Sequence, residues 1–306
     1  MRLRSILYLA PLALLLNAAP NGLDAGPKEL DAGPNGPRAG PDVPRRVVSL
    51  NPSLTAIALA LGADALLVGV DEYSAKQQPA VRDRPVVGGL FAPGLESIVA
   101  LEPDLVVWVP SVQQRDLHRR LNALGVEVLV LPNHSLDELL QSIETLGARL
   151  GRARSAQRRV AEIRSAFAAA TAAASPRAAP RALLVLQREP LYVVGGGSFL
   201  DAMLAAAGAE NVARGIAEAY PRVSLEWLIA ARPEVILDAS QTLDPPEQFW
   251  QRWPSLPAVA NGRVVAIPAD DVTLPGPHLE RGLAILTKAL AAPSRRSVPG
   301  GEEEQP

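Results

Sequence analysis

Two glutamates, Glu96 and Glu226, stand 130 positions apart in stretches that repeat one another, Leu95–Trp108 (LESIVALEPDLVVW) and Leu225–Ala239 (LEWLIAARPEVILDA). Each copy runs leucine, glutamate, a short amphipathic turn, a charged residue with proline, and an acid leading into an apolar strand. A carboxylate in the first turn of a helix complements the helix dipole by about 0.3–1 kcal/mol. An exposed one also matches the fork of an arginine guanidinium. A second group is aromatic: Tyr73, Phe91, Tyr192 and Tyr220 fall on segments read as loops, in a chain with only four tyrosines and four phenylalanines. Rings on such loops can stack on a flat, partly apolar ligand with few polar groups to desolvate. The plainer use of a tyrosine is to half-bury at the edge of a core.

Other chemistries lack their residues. The chain has no cysteine, which excludes disulfides, thiolate metal sites, a cysteine nucleophile and a lipid-modified N-terminal cysteine. Three histidines, His118, His134 and His278, are too few for a histidine-rich cage. His118, mid-helix, and His134, on a strand-to-helix turn, read as surface residues, so no metal site and no cofactor are expected. There is no G-x-S-x-G elbow, G-x-x-x-x-G-K-[ST] loop or G-x-G-x-x-G, and Gly195–Ser198 lacks the lysine of a phosphate loop. Ser198 ahead of Phe199 and Leu200 reads as a helix N-cap. No catalytic residue is expected, and an exported α/β enzyme is the minor alternative.

The elements that must position these groups are α/β in kind. A period of 130 residues is too long for a solenoid repeat and suits one small domain, so the chain of 306 residues, 48% apolar, divides into two similar lobes. Val47–Leu50 is a buried-strand run, and Asn51-Pro52 through Gly62 is a well-punctuated helix. Asp71–Pro79, holding Tyr73, and Pro85–Gly94, holding Phe91, are read as loops that follow strands and so lie on the rim where ligands bind. Ser135 with Glu138 three residues on predicts a capping box. Residues 153–175 lack a breaker until the end and form one bridging helix, about 30 Å long at roughly 1.5 Å per residue. The expected organisation is a signal peptide over 1–19, a disordered proline- and glycine-rich linker over 20–44, an N-terminal lobe over 45–152, the bridge over 153–175, a C-terminal lobe over 176–291 and a disordered tail over 292–306. Residues 6–16 are too short for a comfortable membrane span, although an uncleaved anchor remains the alternative. Thirty basic residues scattered among 32 acids, for a net charge of −2, argue against a nucleic-acid partner.

In order, SLNPSLTAIALALGA, LVGVDEYS, LESIVALEPDLVV, the long helix, SFLDAMLAAAGAENVA, VSLEWLIAARPEVIL and GRVVAI resemble the periplasmic substrate-binding proteins for cobalamin and ferric siderophores, with the cobalamin branch most similar. The resemblance covers about residues 45–291. It implies two α/β lobes with parallel-rich central sheets flanked by helices and joined by one long helix. It further implies a corrinoid held in the interlobe cleft and delivery to an inner-membrane ABC permease by a periplasmic, monomeric receptor. Glu96 and Glu226 are, by the same resemblance, the permease-docking glutamates. Tyr73, Phe91, Tyr192 and Tyr220 match cleft loops, and Asp270 and Asp271 match the loop that approaches the ligand from the second lobe; their plainer reading is a solvated turn. Cobalamin-binding relatives carry tryptophans where this chain has Phe91 and Tyr220, so a ferric siderophore or haem is the alternative ligand.

Overall fold

The computed structural model describes residues 43–110, 115–174 and 179–291. The expected signal peptide, the expected linker up to residue 42 and the expected tail lie outside the described residues.

The first sheet grows from β1 (Val47–Ser49), whose three residues are all buried. Asn51 then caps α1 (Pro52–Ala60) by accepting from the Ser53 N–H at 2.9 Å. After β2 (Leu67–Val70) comes α2 (Glu72–Gln77). A two-stranded hairpin, β3 (Gly88–Gly89) and β4 (Ala92–Pro93), leads to α3 (Leu95–Val99) and β5 (Leu105–Trp108). α4 (Arg115–Ala123), β6 (Glu127–Val130) and α5 (Leu136–Arg149) complete the layer, α5 opening with the expected Ser135–Glu138 capping box. The sheet order is β2-β1-β5-β6, all parallel. Its central strands read as continuous apolar runs because strands covered on both faces have no solvent side to make polar.

One helix of 21 residues, α6 (Ala153–Ala173), follows. The chain divides into two compact units inside it, between Ile163 and Arg164; Pro275–Pro277 belongs with the first unit. The second sheet contains β7 (Arg181–Gln187), β8 (Tyr192–Val193), β9 (Glu210–Asn211), β10 (Val235–Asp238) and β11 (Val264–Ala266). Helices α7 (Phe199–Ala206), α8 (Leu225–Ala231), α9 (Pro246–Trp250), α10 (Pro257–Ala260), α11 (Ala269–Val272) and α12 (Leu279–Ala291) surround these strands in sequence. β9, β7, β10 and β11 pair in parallel in that order, repeating β2-β1-β5-β6, and β8 adds an antiparallel pairing to β7.

The doubled stretch has one geometry in both units. Residues 101–110 and 231–240 share the same burial pattern position by position. Both copies place a left-handed residue before proline, Glu102 (φ 43°) three residues past α3 and Arg232 (φ 46°) as the cap of α8. A non-glycine residue there costs about 1–2 kcal/mol, so its occurrence twice at the matched place marks a required turn. The acid that follows holds the start of the central strand. Asp104 accepts from the N–H groups of Arg45 (2.8 Å) and Arg46 (3.0 Å), and Glu234 accepts from that of Arg181 (2.9 Å). Arg46 and Arg181 return the contact: their guanidinium groups donate to Leu101 O at 2.7 Å, two residues past α3, and to Ala231 O at 2.9 Å, the last residue of α8.

Two segments expected as loops are ordered elements. Asp71–Pro79 contains α2, because Asp71 accepts from the Tyr73 and Ser74 N–H groups and supplies an N-cap. Pro85–Gly94 contains the β3–β4 hairpin, where Gly88 takes φ 118° and an added Cβ would lie 2.7 Å from Ala92 O.

Replacing Asp104 by alanine removes the acceptor of two N–H groups just ahead of β1, and Glu234→Ala removes the acceptor of the one that begins β7. In urea melts the first should lose about 1–2 kcal/mol and the second about half as much. Equal or absent losses would contradict the shared-lock reading.

Candidate functional site

In each unit the candidate side chains follow the carboxyl ends of strands. In the first, β2 ends at Val70 and Asp71 is buried beneath the start of α2. Its carboxylate accepts from two backbone N–H groups and from the Ser74 hydroxyl, and the Ser74 oxygen lies 2.8 Å from Thr55 Oγ1, itself 2.8 Å from Ser49 Oγ. Burial pushes Asp71 above its ordinary value of 3.8, with the Ser74 and backbone hydrogen bonds opposing the shift. This network fixes the turn that presents Tyr73, which is half-buried; burial raises its phenol, with Lys76 acting the other way. Phe91 is 50% exposed at the tip of the β3–β4 hairpin, and the hairpin stands against α2, where a Cβ on Gly89 would come within 3.7 Å of Glu72. Tyr73 and Phe91 therefore belong to neighbouring elements of one unit.

In the second unit Tyr192 lies on β8, half-buried, in a bridge with Arg222. The loop after β9 is laced to the glycine run: Gly195 N donates to Ala219 O (2.8 Å) and Gly196 N to Ile216 O (3.1 Å). A Cβ on Gly195 would meet Glu218 O at 2.0 Å and one on Gly196 would meet Arg214 O at 2.2 Å, so both must be glycine for the backbones to approach. Ser198 caps α7 by accepting from the Asp201 N–H at 3.0 Å, as its sequence context predicts. Tyr220, on this laced loop, is only 3% exposed, and burial drives its phenol far above 10. Asp270 and Asp271 are exposed in the first turn of α11 rather than in a loop, and Asp270 Oδ1 accepts from Gln241 Nε2 at 2.9 Å.

Glu96 and Glu226 are both exposed in first turns, α3 being capped by Gly94 and α8 by Ser224, which accepts from the Trp227 N–H at 3.2 Å. The Ser224 hydroxyl hydrogen-bonds Glu226 and lowers its pKa, which keeps it anionic. Leu225 (36% exposed) and Ile229 (45% exposed) flank Glu226, whereas the matched Leu95 and Val99 are half-buried on the core of their own unit.

Sequence reasoning missed three features. His134 is half-buried, and burial lowers its pKa, so it is no surface residue. His118 is likewise not free on the surface: it packs on buried Trp108, ring centroids 6.0 Å apart. An arginine, Arg188, is buried beside Asp238 at the strand ends of the second sheet; a lone arginine in a loop gave no signal of this. Among the described residues no group of three or more His, Cys, Asp or Glu side chains is placed to hold a metal, and no helix is long and apolar enough to cross a membrane.

Two α/β units, each with candidate side chains after its strand ends and a matched exposed glutamate, define a solute-binding architecture. The chain belongs to the periplasmic binding protein family, whose model matches residues 47–270. It is a substrate-binding protein of the transport class, not an enzyme. Among curated proteins it is similar to the vitamin B12-binding protein of Vibrio parahaemolyticus, 28% identical over 185 residues, which are 60% of this chain and 67% of that one. The vitamin B12-binding protein of Salmonella typhimurium is 30% identical over 168 residues, 54% of this chain and 63% of that one. The matches thus span about two thirds of the curated relatives' length. Among solved structures it resembles the periplasmic vitamin B12 binding protein BtuF of Vibrio cholerae, with TM-score 0.69, 25% identity and coverage of 81% of this chain and 97% of that one. The periplasmic heme-binding protein RhuT of Roseiflexus sp. RS-1 is similar too, with TM-score 0.70, 28% identity and coverage of 80% and 97%.

Because Asp71 is raised, the folded state holds its proton more tightly than the unfolded chain does. The stability it contributes is complete below 3.8 and is lost as pH rises through the higher folded value. Asp71→Asn keeps an acceptor for Tyr73 and Ser74 and removes the titration. The variant should lose less stability than the wild type between about pH 3.5 and pH 7 in denaturant melts, whereas parallel profiles would show that Asp71 does not titrate in that window.

Proposed function

We propose that this chain is a periplasmic receptor that captures a cobalamin-like corrinoid and hands it to an inner-membrane ABC permease. The observation that carries the transporter half is the pair of exposed first-turn glutamates on short helices locked by the same arginine and acid in both units. Anionic anchors at matched positions suit two arginine-bearing subunits of a two-fold transporter. The corrinoid half is supported by the curated relatives, which are vitamin B12-binding proteins. A corrinoid has a broad, partly apolar ring face, and Tyr73, Phe91 and Tyr192 offer aromatic surface to it; the carboxylates of Asp270 and Asp271 accept from its amide side chains. Tyr220, being buried, offers no ring face to it. The receptor acts as a monomer and carries its ligand as cargo, with no catalytic cofactor.

Haem is the second reading, favoured by the likeness to a solved heme-binding structure at 28% identity and by tyrosines that can ligate iron. A ferric siderophore is the third, and it finds fewer basic partners on these segments.

In cells that make this chain, the Glu96→Ala, Glu226→Ala double variant should abolish uptake of labelled cyanocobalamin. The purified variant should keep the wild-type dissociation constant for it. Parallel loss of uptake and affinity would remove the docking role, and unchanged uptake would remove the transporter assignment of these glutamates.

A further inference from the structure

The second unit buries an ion pair that its fold does not require. Asp238, the last residue of β10, lies entirely inside the protein, and its Oδ2 accepts from Arg188 Nε at 2.9 Å and from Trp250 Nε1 at 2.6 Å. Its Oδ1 accepts from the Ser240 N–H at 3.0 Å and from the Ser240 hydroxyl. The matched position of the first sheet, at the end of β5, is Trp108, also buried. An apolar ring thus completes the same strand end in one copy, so the architecture alone calls for no charge there. Burying two charges costs several kcal/mol per ion before pairing, and well-packed apolar replacements of such pairs are often neutral or stabilising.

What the pair does is tie loops together. Arg188 follows β7 directly, donates through Nη1 to Asp244 O at 2.8 Å, and sets its guanidinium 4.8 Å from the centre of the Phe249 ring. Arg252 lies over the same ring at 4.0 Å and pairs with Glu189 at 3.1 Å. Gln241, in the loop that Arg188 and Asp238 hold at Asp244 and Ser240, reaches Asp270. The buried guanidinium–carboxylate contact therefore joins segments 188–191 and 239–245 after the strand ends, and Gln241 extends the tie to 268–272 through Asp270. They lead into Tyr192 and carry Asp270 and Asp271.

We propose that Arg188 and Asp238 are positioning residues for the ligand-binding rim of the second unit: the planar fork fixes Tyr192 and the α11 carboxylates relative to one another before ligand arrives. The inference rests on the ligand-binding reading of those side chains, and it deepens that reading by naming what preorganises them. Rigid rims bind with less ordering cost, so loosening this one should appear mainly as faster release.

The test compares the wild-type chain with two variants. Arg188→Met/Asp238→Asn removes both charges, while the amide oxygen introduced at position 238 still accepts from Trp250 or Ser240. Arg188→Lys keeps the charge but loses the fork. Amide hydrogen exchange is read in 188–192, 239–245 and 268–272, with β7 and β10 as internal controls, and cyanocobalamin dissociation is followed by stopped flow. In both variants exchange in the three segments should rise together by about tenfold or more while β7 and β10 stay protected. Cyanocobalamin dissociation should accelerate by about tenfold. Wild-type exchange in the three segments of either folded variant would overturn the proposal, as would faster exchange with unchanged dissociation. Should the paired variant fail to fold, Arg188→Lys decides the matter alone. Should the wild type not bind cyanocobalamin, the corrinoid reading fails, and the exchange data still decide whether the pair orders the rim.

Discussion

Each half of this protein depends on a reciprocal contact between the start of its central strand, Arg46 just ahead of β1 or Arg181 at the head of β7, and the chain at or just past the end of a short helix. α3 has five residues and α8 seven, lengths at which a helix is not stable by itself in water. Asp104 takes the N–H group just ahead of β1 and Glu234 the one that begins β7, while Arg46 takes a carbonyl just past α3 and Arg181 the one that ends α8. The outcome is a one- to two-turn helix pinned to a buried parallel sheet, with its N-terminal turn and its glutamate in solvent. A helix held this way is fixed at its base, as the proposed docking role of Glu96 and Glu226 requires.

The two halves then diverge at the side chains proposed to meet the ligand. The first rests Tyr73 on a buried carboxyl and a row of hydroxyls, Ser74, Thr55 and Ser49, all held within the strand-end turn. The second places the Arg188–Asp238 pair beside a cluster of aromatic rings, Phe249, Trp250 and Trp253, with centroids 5.1–5.6 Å apart. A network of neutral hydroxyls tolerates small displacements, whereas a buried guanidinium–carboxylate pair tolerates few, because each group left unpaired carries its full desolvation cost. The duplicated frame thus carries different chemistry at the two places.

Much of the frame was legible in the sequence because its determinants are local. Asn51-Pro52 and Gly62 bound α1, Ser135 and Glu138 make their capping box, and the breaker-free run after residue 152 is the 21-residue α6. The matched Glu96 and Glu226 were visible for the same reason: a first-turn residue is defined by the few residues around it. What the sequence hid is what depends on distance along the chain. Arg188 and Asp238 are 50 positions apart, and neither has a local signature of burial. Tyr220 reads as a loop aromatic, but it is buried on a loop whose backbone is hydrogen-bonded to Gly195 and Gly196 from far along the chain. α2 was missed because six residues give too little periodicity, although Asp71 carried the N-cap signal.

Equilibrium titration of the purified chain with cyanocobalamin, beside haemin and a ferric siderophore, bears most directly on the claim that it is a corrinoid receptor. The expected result is a dissociation constant of about 1 µM or tighter for cyanocobalamin, roughly −8 kcal/mol, with at least tenfold weaker binding of the other two. Tight binding of haemin or the siderophore with no measurable affinity for cyanocobalamin would contradict it.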